Sequence, residues 1–431
     1  MRTASDVSVE RSASGGTPAP AGRVGLAGAA WLAGPWPPAL AATGWWLWAY
    51  LHTRPPSSAL FSSHAGSAGN TYHSWSYAHL AYSDVLALWY THHLFDHAAP
   101  YVHTVIEYPV LTGLFMWLAA WFPGIEGYFL ASALALLACL IGSIWLLHRS
   151  SALKAWALAC SPLLLVYTLL NWDLLGVVLM LAGYELYRSK RYAASGALFS
   201  LAVFAKFFPA VLFVYCLLAL WRDRSLQGGA GAPRSMLVWA VGVGVVVNVP
   251  FAVANFGGWA HFFGFNATRG GGGGVLSALN IDNAWPVSAV DLLSAVLVLG
   301  VMALLAWRVL RGLGPEVAAG IAFGVFMLIN KTYSPQYTLW VYVYAIVAEW
   351  PLWSLAGLAL AGVADFANAM IVLNMIAAKD TGIGWYLAWL YPLNRALRLS
   401  AMGAGIAGSL WSVLARRDRG GGSGAPRVAL E

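Results

Sequence analysis

Charge is the scarcest commodity in this chain. Only 10% of its 431 residues are Asp, Glu, Lys or Arg, where an ordinary soluble domain carries about 25%. A water-soluble globule of this length could not cover itself with so little polarity. Cysteine is nearly absent: Cys139, Cys160 and Cys216 each sit inside an apolar run, and no CxxC spacing occurs. That excludes a disulfide framework and a thiolate metal site. The Ser/Gly/Pro-rich residues 1–24, with Arg2, Arg11 and Arg23, lack the apolar core and cleavage site of a signal peptide. They read as a cytoplasmic tail. HEXXH is missing, and so is any internal repeat. Disorder, a nucleic-acid-binding arm and a secreted scaffold are excluded on composition. What is abundant is apolar surface: 60% of residues are hydrophobic and 14% aromatic, which suits a protein with two membrane–water interfaces to line. The expected class is an all-α integral membrane protein.

Apolar runs near the 20 residues needed to cross a bilayer give about twelve candidate spans. They lie near 28–51, 126–147, 155–170, 172–187, 192–206, 207–221, 235–254, 287–307, 315–330, 334–349, 351–373 and 396–415. The first is interrupted by Pro35, Pro37 and Pro38, and several are short. Alternating them from a cytoplasmic N-terminus leaves seven of the 24 Lys and Arg residues outside: Arg54, Lys206, Arg269, Lys331, Lys379, Arg395 and Arg398. The positive-inside bias therefore predicts both termini in the cytoplasm. The membrane domain is expected over 25–415. Residues 416–431 read as a cytoplasmic tail, or a cloning remnant around GGGSGAPRVALE.

Two external segments are long. The first, about 53–125, holds YSDVLALWYTHHLFD and EYPVLTGLFMWLAAWFPG, both with apolar residues at helical spacing. They are expected to be helices lying at the membrane surface. The second, about 255–285, carries WAHFFGFNATRGGGGG, whose five glycines predict a mobile flap.

Ionisable groups near membrane depth are costly and point to function. Three predicted hairpin tips each put charge on the external side: Asp173 in NWD, Lys206 in AKFFP and Lys331 in NKTYSPQYTLW. With Asp84, Glu107 and Arg269 they could line one external cavity. Cations suit a lipid-linked phosphate, neutralising its oxygens as it departs. A carboxylate opposite suits a general base for an attacking hydroxyl.

Several of these segments have a recognisable order. YSDVLALWY in a long first external loop, EYP opening the next apolar stretch, KFFP, FNATRG and the SPQYTLW hairpin resemble glycosyltransferase family 87, of the GT-C superfamily. The resemblance runs from about Tyr82 to Trp340. Actinobacterial members include the polyprenyl-phosphate-mannose-dependent α-mannosyltransferase of phosphatidylinositol mannoside synthesis, and the Gly, Ala and Trp richness fits such a source. The resemblance implies a multi-spanning GT-C-like bundle that takes a sugar from a polyprenyl-phosphate donor on the non-cytoplasmic face. It implies a catalytic Asp in the first external loop, which falls here on Asp84. Glu107 is a second acid in the same loop, and either could be the base.

The roles expected are donor-phosphate contact for Lys206, Lys331 and Arg269, and substrate or supporting contacts for Asp173, Tyr82, Trp89, Tyr333, Gln336 and His261. Plainer roles stand beside these: Asp84 capping a helix, Lys206 snorkelling to the interface, Asp173 orienting a lysine or a tight turn. Seven of the ten histidines fall between His64 and His103, and His93, Asp96 and His97 have helical i, i+3, i+4 spacing. That spacing recurs readily in a His-rich loop, so no metal or other cofactor is expected. The expected partners are the lipid-linked donor, a glycolipid or cell-envelope glycan acceptor and membrane lipids, with no nucleic acid. The resemblance implies an inverting hexosyl transfer to an external acceptor. The alternative is a secondary transporter, which shares the twelve-span layout but needs its site at mid-membrane.

Overall fold

The computed structural model describes residues 34–56, 65–225, 230–268, 274–330 and 332–420. The tail 1–24, the start of the first predicted span, Arg269, Lys331, most of the glycine run and residues 421–431 lie outside them. Among the described residues the fold is helical, with no strand and one isolated bridge between Pro100 and Thr104. The helices are α1 (Trp36–Thr53), α2 (Ala65–Ala78), α3 (Asp84–Thr91), α4 (Val110–Ala119), α5 (Gly124–Ser150), α6 (Ala152–Ala159) and α7 (Leu163–Tyr167). There follow α8 (Asp173–Arg188), α9 (Tyr192–Ala205), α10 (Ala210–Arg222), α11 (Gly231–Ala254), α12 (Phe256–Thr268), α13 (Val275–Ala278) and α14 (Ile281–Ala284). The chain closes with α15 (Val287–Leu310), α16 (Pro315–Ile329), α17 (Tyr337–Val347), α18 (Leu352–Ala377) and α19 (Ile383–Gly420).

Where the apolar runs predict twelve spans, four described helices are long and apolar enough to cross a membrane: α5, α11, α15 and α18. The difference lies in where helices stop. The 155–170 run is divided between α6 and α7 at Ser161–Pro162, because proline lacks an N–H and disfavours helix at the residue before it. Helices α8, α9, α10 and α16 have 16, 14, 13 and 15 residues. At 1.5 Å per residue they reach about 20–24 Å, short of a ~30 Å hydrocarbon core. Helix α17 is almost wholly buried, so its apolarity reports the interior of the bundle. Pro37 and Pro38 do not break α1. They stand in its first turn, where a missing N–H has no partner to lose.

In the first external segment, both stretches expected to be helical contain helices, α3 and α4. In the second, all of WAHFFGFNAT lies within the helix α12, and the glycine run on which the flap expectation rests lies mostly outside the described residues. Helices α11 and α15 bury little of themselves, and side chains such as Val246, Val253, Leu292 and Leu299 face outward. Apolar surface of that extent belongs against lipid. Helix α9 packs between α8 and α11. Gly196 lies so close under α11 that a Cβ there would overlap the Met236 carbonyl, and one at Gly183 would stand 3.1 Å from the Phe199 ring. Small residues at such crossings are how helices approach closely without water to drive them together.

Candidate active site

Four chain segments meet at one end of the bundle, each held by an identifiable contact. Ser83 caps α3, accepting from the Val85 N–H, and its hydroxyl donates to the Leu169 carbonyl at 2.6 Å. The Asp84 N–H donates to the Leu170 carbonyl at 2.8 Å. These two bonds fix Asp84, in the first turn of α3, beside Asn171. Tyr101 bridges the carbonyls of Tyr108 and Pro109 at 2.9 and 2.8 Å, shaping the turn into α4. Thr112 of α4 then donates to the Ala205 carbonyl at 2.7 Å, which brings Tyr108 against Lys206 at the end of α9.

The polar groups form a connected chain. Asn171 Nδ2 lies 2.7 Å from Asp84 Oδ2, 2.9 Å from the Tyr108 hydroxyl and 3.2 Å from Gln336 Oε1. Its Oδ1 accepts from Lys206 Nζ at 2.7 Å and from the Trp172 N–H at 2.6 Å. Every neighbour of Nδ2 accepts and every neighbour of Oδ1 donates, so one amide orientation alone satisfies the site. Tyr108 donates to Asp84 Oδ2 at 3.2 Å, and Tyr82 also hydrogen-bonds the carboxylate. Lys206 Nζ sits 4.4 Å above the Tyr108 ring and 3.0 Å from Asp173 Oδ1. The Lys206 side chain is 5% exposed and that of Asp173 is fully buried.

Burial pushes the Asp84 carboxyl above the usual carboxylate range, opposed by hydrogen bonds from Tyr82, Asn171 and Tyr108 and by the Lys206 charge. The second acid behaves oppositely. Burial acts to raise Glu107 as well, but His92, with Nε2 2.9 Å from the carboxylate, outweighs it, helped by a backbone N–H and by His261. Glu107 is held below the ordinary range. Two carboxylates in one cavity thus have their affinities for protons driven apart, the arrangement that separates acid–base roles.

Asp84, Glu107, Tyr82, Tyr108, Lys206 and Gln336 line a cavity of about 650 Å³. Its other wall is apolar, built from Phe207 and Phe208, Phe262 and Phe265 of α12, Val298 and Met302 of α15, and Phe323 of α16. Trp340 closes the floor, stacked on Phe208 at 4.9 Å. A lining that joins two carboxylates and a lysine to a set of aromatic and aliphatic side chains suits an amphipathic ligand.

Of the residues expected at the site, Asp84, Glu107, Lys206, Tyr82 and Gln336 share this cavity, and Asp173 stands behind Lys206. Trp89 does not line it; it is buried against Tyr128 with ring centroids 4.8 Å apart. His261 is exposed on α12, near enough to Glu107 to influence its charge. Tyr333 packs beneath Arg398, outside the cavity lining. Arg269 and Lys331 fall outside the described residues. His93 and His97 both have left-handed backbone, with φ of 52° and 57°, so their spacing is not that of an α-helix face. Asp96 lies 3.5 Å from His93, while His97 stacks on Trp121. Among the described residues, no group of three or more His, Cys, Asp or Glu is placed to hold a metal ion. Sequence reasoning overlooked Tyr108, Asn171 and the pairing of His92. Each is the neighbour of a residue that drew attention for its charge, or one of many histidines.

The family model described as glycosyltransferase family 87 matches residues 106–330, more than half of the chain. The chain belongs to glycosyltransferase family 87. No curated relative and no solved structure matches it. A family 87 glycosyltransferase needs a sugar donor and an acceptor. The matched stretch carries Glu107, Tyr108, Asn171, Asp173 and Lys206. Asp84, Tyr82 and Gln336 lie outside it in sequence and join it in space.

Proposed function

We propose that the protein is an inverting glycosyltransferase that moves a sugar, mannose first among candidates, from a polyprenyl-phosphate donor to a glycolipid or cell-envelope glycan. The observation that carries this reading is Asp84. It is a carboxylate with raised proton affinity that shares one cavity with Lys206 and with aromatic and aliphatic side chains from α12, α15 and α16. In the proposed step Asp84 takes the proton of an acceptor hydroxyl. The oxygen bonds to the anomeric carbon, and the bond from that carbon to the phosphate oxygen breaks. The electron pair leaves on polyprenyl phosphate, and a β-linked donor gives an α-linked product.

The isoprenoid chain would lie along Phe262, Phe265, Val298 and Met302, on the side where α15 turns most of its surface outward. Lys206 would face the phosphate with its charge shared by Asp173. Lys331 and Arg269 are proposed as further phosphate contacts; Asn330 and Thr332, which flank Lys331, line the cavity. We place the site on the external face of a multi-pass GT-C-like bundle with both termini cytoplasmic, an assignment supported by the distribution of Lys and Arg. The short helices α8, α9, α10, α16 and α17 would complete the bundle with the four long ones.

The test is transfer of radiolabelled mannose from synthetic polyprenyl-phosphate-mannose into extracted lipid acceptors by purified protein. Loss of a general base costs about 10²–10⁴-fold, so folded Asp84→Asn is expected to lose nearly all incorporation. Full activity in that variant would overturn the assignment of the base. No turnover by the wild type with mannosyl or arabinosyl donors would overturn the reaction.

A further inference from the structure

A second charged pair is buried away from the cavity. Arg398 of α19 is 3% exposed, with Nη1 2.7 Å from Asp365 Oδ2 on α18, and Asn394 donates to the other carboxylate oxygen at 3.0 Å. Helix α18 is one of the four of spanning length, and a carboxylate inside such a helix is costly to keep. Apolar side chains of similar volume commonly pack at least as stably as a buried ion pair, so stability alone is a weak reason for this one.

The guanidinium supplies a better reason. Its centre stands 3.5 Å from the centroid of the Tyr333 ring. The Tyr333 hydroxyl hydrogen-bonds that of Thr338, and its ring meets Tyr337 edge-on at 5.9 Å. Tyr333 belongs to the connection between α16 and α17. Thr332, Ser334 and Gln336 of that connection line the cavity, and Gln336 Oε1 faces the Asn171 amide.

We propose that Arg398, held by Asp365 and Asn394, is a positioning residue for sugar transfer: it acts through Tyr333 to fix the cavity wall formed by residues 332–336. The inference rests on the donor-binding reading above. Lysine would keep the charge and the partner, but it has no planar group to lie on the ring.

The experiment uses full-length protein carrying Arg398→Lys, Tyr333→Leu or both, with polyprenyl-phosphate-mannose as donor. Each single variant is expected to raise KM for the donor about tenfold with kcat changed less than about twofold, and the double variant no further, since both remove the stacking of the planar guanidinium on the Tyr333 ring. A second readout needs no turnover. In a Ser334→Cys background, the maleimide labelling rate at position 334, read by mass spectrometry, is expected to rise with Arg398→Lys. Additive effects on KM, or unchanged labelling, would overturn the proposal. Tyr333→Leu touches neither charge and carries the test if Arg398→Lys fails to fold. Faster labelling in a protein whose wild type transfers no sugar would support the clamp and overturn the donor reading.

Discussion

Lys206–Asp173 and Arg398–Asp365 are the same chemistry put to different uses. Both are carboxylate–cation pairs almost wholly withdrawn from solvent, at 3.0 and 2.7 Å, and each cation lies over a tyrosine ring. Lys206 faces the cavity, and its proton-bearing nitrogen reaches Asp84 through a single amide, Asn171. Arg398 reaches the cavity only through the backbone that carries Tyr333. A compact ammonium with three donors can serve a hydrogen-bonded chain, whereas a planar guanidinium can hold a ring in place. On the proposed reading the first pair bears on the proton, the second on the wall.

The sharpest way to break this comparison is to remove the cations. Lys206→Met strands a buried Asp173 and is expected to lower stability by about 3–5 kcal/mol, seen as a fall in Tm in detergent. Adding Asp173→Leu is expected to restore most of the Tm. Activity should stay low, because Asn171 Oδ1 keeps the Trp172 N–H but loses the Lys206 ammonium. The matching double change at the other pair, Asp365→Asn with Arg398→Gln, should leave kcat near wild type and raise KM. Equal kcat losses in both doubles would erase the distinction.

Asn171→Leu is a smaller disturbance: it removes one hydrogen bond to Asp84, which keeps those from Tyr82 and Tyr108, and one to Gln336, expected to cost about 1–3 kcal/mol, a roughly ten- to hundredfold fall in kcat with little change in KM. The smallest effect concerns Glu107. A base works only when deprotonated, so activity should fall as pH drops through the raised Asp84 value, above the ordinary carboxylate range. Glu107, held low by His92, stays ionised across that range. Profiles of kcat/KM against pH should therefore keep their acid limb in Glu107→Gln. The same variant is expected to lose about 0.5–1.5 kcal/mol of stability at neutral pH. Because its folded value is depressed, that contribution is present above the unfolded value and fades as pH falls through the folded one. A limb that moves with Glu107→Gln would make Glu107 the base.

The helices were largely legible. The 172–187, 192–206 and 207–221 runs correspond to α8, α9 and α10 within a few residues, because apolar composition and the intervening polar tips mark both ends. Span length was not legible. Hydropathy counts residues between charges, and it cannot separate α17, buried on nearly every side, from α15, which faces outward. Asp84, Glu107 and Lys206 stood out because charge is rare here. Asn171 and Tyr108 did not, since a neutral polar residue in an apolar run carries no mark until its partners are known. Arg398 was assigned to the external face by counting; its contact with Tyr333 joins elements that no short motif connects.

The bare backbone at Gly196 has a mechanical consequence. Where α9 and α11 touch without an intervening side chain, there is no soft layer to shear, and the two helices amount to one stiff plate bearing Lys206 at its edge. Val298 and Met302 reach the same cavity from α15, a helix that leaves most of its own surface outward. A cavity built this way keeps Lys206 in register while any widening falls to the side of α15.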